Sequence, residues 1–100
     1  MESSIFVRAE DKLEGATNFN VWKLRIRNIL QEHVLEQYMM TVVEEPMNNV
    51  GRMNFRKIQA KPKWIIFDSV KDRIMLAMTS LMTAKECMDT LVNLYEKKDT

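Results

Sequence analysis

Glycine and proline are scarce in this sequence, with two of each in 100 residues. That leaves few places to stop a helix or make a tight turn, and it argues against a turn-rich β fold. The glycines, Gly15 and Gly51, stand apart, so no glycine-rich phosphate loop exists. A single cysteine, Cys87, excludes an internal disulfide and fits a reducing compartment. One histidine, His33, lies far from that cysteine in sequence, and the pair makes a poor zinc site. No grouping of carboxylates stands out beside them, so neither enzymatic activity nor a cofactor, metal or small-molecule substrate is expected. No apolar run approaches the roughly 18 residues a membrane span needs. Met1-Glu2-Ser3-Ser4 lacks the basic and apolar regions of a secretory signal, and the expected location is the cytoplasm.

What is present is ordinary for one globular domain: 46% hydrophobic and 29% charged residues, rich in Leu, Met, Glu and Lys. The expected fold is all-α, a small bundle of about four to five helices over residues 17–100, with an extended N-terminal arm over residues 1–16. Nine methionines are many for this length. They read either as adaptable core filling or as an adaptable contact surface. The net charge of +1 is uneven: residues 1–50 carry five basic and eight acidic side chains, residues 51–100 ten and six. Such polarity favours head-to-tail self-association, within the reach that salt screening leaves it.

Along the chain, Thr17 or Asn18 is placed to cap a first helix whose Phe19, Trp22, Ile26, Ile29 and Leu30 share one face. It runs to about residue 31 and continues or restarts through Val34, Leu35 and Tyr38. Pro46 interrupts an irregular stretch, and Asn48-Asn49-Val50-Gly51 reads as a turn. A weakly patterned short helix over residues 52–60 follows. Pro62 suits the first turn of a new helix over about 62–81, broadly apolar and therefore central. Thr83-Ala84-Lys85-Glu86 is a capping box: the Thr83 hydroxyl takes an N–H three residues on, and Glu86 reaches back to the N–H of the cap residue. Behind it Ala84, Cys87, Met88, Leu91, Leu94 and Tyr95 form a stripe, and Lys97 and Lys98 complement the helix end. The expected core joins Trp22 and Trp64 with Phe19, Ile26, Phe67, Ile74, Leu91 and Tyr95.

His33 reads as a core or boundary histidine with one hydrogen-bond partner, against a catalytic or metal role. Cys87 reads as a small buried hydrophobe rather than a nucleophile. Arg52, Arg56, Lys57, Lys61 and Lys63 occur with no acid among them and with Phe55 between. They read either as a solvated face or as a contact for nucleic acid or another anion.

Leu13-Glu14-Gly15-Ala16-Thr17-Asn18-Phe19-Asn20-Val21-Trp22-Lys23 resembles the opening of copia-type retrotransposon Gag polyproteins. In that family a Leu-x-Gly segment leads to an Asn-aromatic pair, two residues, then Trp-Lys. Trp64 with Asp68 and the apolar run to Leu81 resemble the family's next helix. Thr83, Ala84, Lys85, Glu86, Asp89, Leu91 and Tyr95 resemble its Thr-Ala-Lys-Glu-x-Trp-Asp-x-Leu helix, with Met88 standing where the family has Trp. Ser80-Leu81-Met82 runs straight into Thr83, where relatives carry about ten more residues. The resemblance covers about residues 12–96 and takes in the family's first capsid lobe alone, not its second lobe, zinc knuckle or enzyme regions. The resemblance implies an N-terminal capsid-like domain with a structural role, whose partner is itself or full-length Gag and whose RNA contact is weak at most. Ile5, Phe6, Val7, Met39 and Met40 are the candidate self-association residues. The alternative is a host-domesticated module that binds a protein or RNA and builds no particle.

Overall fold

The computed structural model describes residues 7–41 and 44–96. Five α-helices follow one another: α1 Phe19–Glu32, α2 Glu36–Met40, α3 Asn49–Asp68, α4 Asp72–Ala77 and α5 Ala84–Tyr95. Two 3-10 turns, Ala9–Asp11 and Ala16–Asn18, precede them, and the described residues contain no strand beyond one isolated Leu13–Val70 bridge. The fold is all-α, as expected. No helix among the described residues is long and apolar enough to cross a membrane.

α1 follows the expected face, with Phe19, Trp22, Ile26 and Leu30 buried. It stops in a Schellman arrangement: the N–H of Val34 donates to Gln31 at 3.0 Å and that of Leu35 to Leu30 at 2.7 Å. Val34 takes the left-handed conformation this ending requires, with φ at 58°. The chain then restarts as α2, which buries Met39.

Asn18 does not cap α1. Its side chain reaches backwards instead, accepting from the Glu14 N–H at 3.0 Å and donating to the Lys12 carbonyl at 3.1 Å. This brace holds the loop around Gly15, whose backbone (φ 157°, ψ −155°) only glycine adopts readily. The described part of the N-terminal arm, residues 7–16, thus lays apolar residues on the core. Leu13 is fully buried, and Val7 is buried with it. Leu13 pairs through its N–H with the Ser69 carbonyl at 2.9 Å and through its carbonyl with the Lys71 N–H at 3.1 Å.

That pairing explains the largest departure from expectation, in the middle of the chain. The expected turn at residues 48–51 is the start of α3, because Asn48 caps the helix by accepting from the Gly51 N–H at 2.6 Å. α3 then runs through Pro62, whose ring is buried in the core and offsets the lost backbone hydrogen bond. The expected 62–81 helix breaks at Ser69. There the Ser69 hydroxyl donates to the Ile66 carbonyl at 2.7 Å, while the Trp22 indole N–H donates to the Ser69 carbonyl at 2.9 Å. Leu13 and Trp22 thus occupy a carbonyl that a continuing helix would have used.

The break resets which face is inside. Gln59, Pro62, Ile65 and Ile66 are the buried side of α3, and Trp64, on the opposite side, is 59% exposed. Phe67 and Tyr95 pack against the core only in part. α5 matches its expected stripe through Ala84, Cys87, Met88 and Leu91, although Leu94 is exposed. Thr83 caps it, accepting from the Glu86 N–H at 3.1 Å. The Glu86 carboxylate accepts from the Thr83 hydroxyl at 3.2 Å, in place of the expected reach to the backbone N–H.

Candidate functional site

The residues of the first motif converge on one structural unit. Phe19 and Trp22 stack with centroids 5.7 Å apart, and Tyr95 approaches Phe19 at 6.3 Å. Lys23 crosses to α5 and pairs with Glu96 at 2.8 Å. Together with Leu13, Gly15, Asn18 and Leu91 this set holds the N-terminal loop, α1 and α5 together, so its role is packing. Thr83 and Glu86 cap α5. Asp68 ends α3 half-buried.

His33 and Cys87 do not build a reactive pair. His33 sits at the end of α1, and its Nε2 is buried without the hydrogen-bond partner expected of it. Cys87 is buried in α5, where burial pushes its thiol up to about 12. A thiol so placed stays protonated and inert at neutral pH. Among the described residues no group of three or more His, Cys, Asp or Glu side chains is placed to hold a metal ion.

Two surfaces on α3 combine exposed side chains of one chemistry. The first half of α3, from Asn49 to Ile58, contains no buried residue, and Phe55 there is half-buried beside Met82 and Thr83. Near the start of α3 Met47, Val50 and Met53 are exposed, and Met40 is exposed at the end of α2. The loop before α3 is tied down: Arg52 donates to the Pro46 carbonyl at 3.2 Å and pairs with Glu45 at 3.6 Å. A Cβ on Gly51 would come within 2.7 Å of Pro46, so glycine is what lets this loop fold back on the helix. Of the expected self-association residues among the described ones, only Met40 is exposed. Val7 and Met39 are buried in the core, because the N-terminal segment and α2 both dock there. Ile5 and Phe6 lie outside the described residues.

The second surface is the middle of α3. Arg56, Lys57, Lys61 and Lys63 have no carboxylate within 4 Å among the described residues, whereas Arg52 is engaged with Glu45. Elsewhere cations are mostly committed: Arg25 to Asp11, Arg27 to Glu36, Lys85 to Asp89. A larger groove of about 660 Å³ beside Lys12, Lys71 and Arg73 illustrates the contrast. There Lys71 donates to the Ala9 carbonyl at 3.1 Å and Arg73 to that of Glu14. In the α3 groove, of about 350 Å³, Arg56 and Lys63 stand beside Phe55 and Trp64 instead. The exposure of Trp64 was not foreseen. Its signal was the buried phase of α3 itself, readable only once Pro62 is allowed inside the helix.

No protein-family model matches the chain, and no curated protein or solved structure is significantly similar to it.

Proposed function

We propose that this chain is a structural self-assembly domain of the Gag capsid type, acting through homotypic protein contacts in the cytoplasm. The observation that carries the reading is the start of α3, with Met47 90% and Val50 70% exposed on a loop and helix that are otherwise tied down. Flexible, polarisable methionines suit a contact that must adapt to a neighbour, and an exposed apolar patch on an ordered element marks an interaction site. The partner is a second copy or full-length Gag, and a two-fold pairing is the commonest way to close such a contact. The packing of Leu13, Phe19, Trp22 and Tyr95 into one unit supports the likeness in the two motif regions. A structural role also accords with the inert Cys87 thiol.

Light scattering over a concentration series tests this. The chain should pass from monomer to dimer or larger species within the micromolar range, and Met53→Glu should hold it monomeric. A wild-type chain that stays monomeric throughout overturns the assembly reading. It would favour the alternative, a Gag-derived module whose patch serves an unrelated protein.

A further inference from the structure

The middle of α3 has a chemistry that self-association does not explain. At 100° per residue, Trp64 lies between Arg56 and Lys63 on one side and Lys57 and Lys61 on the other. No acid occurs from Asn49 to Phe67, so this length of helix presents only positive charge. Two copies brought together here would repel one another. The ring of Trp64 is 59% exposed and braced edge-on by Phe67 at 6.4 Å, and the Lys63 ammonium stands 5.7 Å from the Phe67 ring. Phe55, half-buried, and Met82 form the apolar wall of the groove, and Gln59 lies in it as well. The Gln59 carbonyl oxygen accepts from the Ala84 N–H at 3.5 Å, which leaves the amide nitrogen to donate.

We propose that this groove binds single-stranded nucleic acid, one base stacking on Trp64 while Arg56, Lys57, Lys61 and Lys63 follow the phosphates. Exposed aromatic rings interleaved with unpaired cations are what a stacked, charged strand requires. An anionic membrane fits less well: Lys57 and Lys61 interrupt the apolar arc between Val50, Met53 and Trp64, so no continuous face can enter lipid. An acidic partner helix needs the same continuous face. Duplex binds less well because its bases are already stacked and offer Trp64 nothing. The centres of the groove and the methionine patch are offset, since Val50 and Trp64 lie about 21 Å apart along the helix at 1.5 Å per residue, with Met53 and Lys57 on adjacent turns between them.

Titration of the full chain with a fluorescently labelled twelve-nucleotide oligouridine tests the assignment. Of the two tryptophans Trp22 is fully buried, so quenching of tryptophan emission reports Trp64. Binding should quench that emission. Its affinity should fall with salt between about 50 and 200 mM with a logarithmic slope of about −2 to −3, roughly 0.7 per neutralised phosphate. Trp64→Ala should weaken binding roughly tenfold or more, with Trp64→Phe recovering most of it, and Lys57→Ala should flatten the slope by about 0.7. Both positions are exposed, so unchanged melting curves will show that the variants fold. Overturning results are equal affinity for a duplex, Trp64→Ala binding as well as the wild type, or no oligonucleotide binding alongside capture by anionic vesicles or an acidic helical peptide.

Discussion

Two tryptophans with the same side chain have opposite assignments, and the difference lies in what each touches. Trp22 is fully buried and its indole N–H is shared between the carbonyl and hydroxyl of Ser69 at 2.9 and 3.1 Å. Trp64 is 59% exposed, with the Phe67 ring edge-on to it at 6.4 Å. Trp22→Ala should therefore cost about 3–5 kcal/mol in denaturant unfolding. Trp64→Ala should stay within about 0.5 kcal/mol, the usual range for a surface position. Cys87 yields a second prediction at this scale. Its folded pKa of about 12 lies above the ordinary thiol value near 9, so the folded state holds its proton after the unfolded state has released it. Stability is then fully present below about pH 9 and falls as pH rises toward 12. The free energy of unfolding measured across that range should fall more steeply for the wild type than for Cys87→Ala. In the native protein the thiol should resist a disulfide reagent at pH 8 and react once denaturant is added.

At the scale of elements, the ends of helices carry most of the information. α5 was legible because its cap, its stripe and its charged face all come from one uninterrupted run, and Thr83 needs no distant residue to act. α3 was not. A proline usually marks a helix start, but here the burial of the Pro62 ring outweighs the broken hydrogen bond, a tertiary effect that local pattern does not hold. The apolar run from Trp64 to Leu81 then reads as one face only if the helix is continuous. Leu13 and Trp22 end it at Ser69 from 56 and 47 residues away. The basic cluster was visible in sequence, whereas its union with an exposed aromatic ring was hidden behind that wrong phase. The end of α1 offers a test of local strain. Val34 is β-branched, 80% exposed and left-handed at φ 58°, so it pays a steric cost without gaining packing. Val34→Gly should raise stability by about 1 kcal/mol, read from the denaturation midpoint. A loss instead would mean that Val34 makes a contact worth more than the strain.

The whole molecule measures 42 × 41 × 23 Å between its principal extents, about two helix diameters thick. A slab of this kind has much surface for its volume, and its core lies among α1, α2, α3 and α5, with α2 touching each of the other three. The first half of α3 adds no fully buried residue, so the strongly exposed Val50 and Met53 bring little stability to the isolated chain. Their burial between copies would change that. Any contact made by the folded chain and not by the unfolded one raises apparent stability by mass action. The melting temperature of the wild type should accordingly climb with protein concentration. Met53→Glu, placed where no residue is buried, should melt near the wild-type value at low concentration and lose the climb. Trp64→Ala, at the other surface, should keep it. If all three melt independently of concentration, the patch does not join copies under those conditions, and the groove on the middle of α3 becomes the surface that defines what the molecule does.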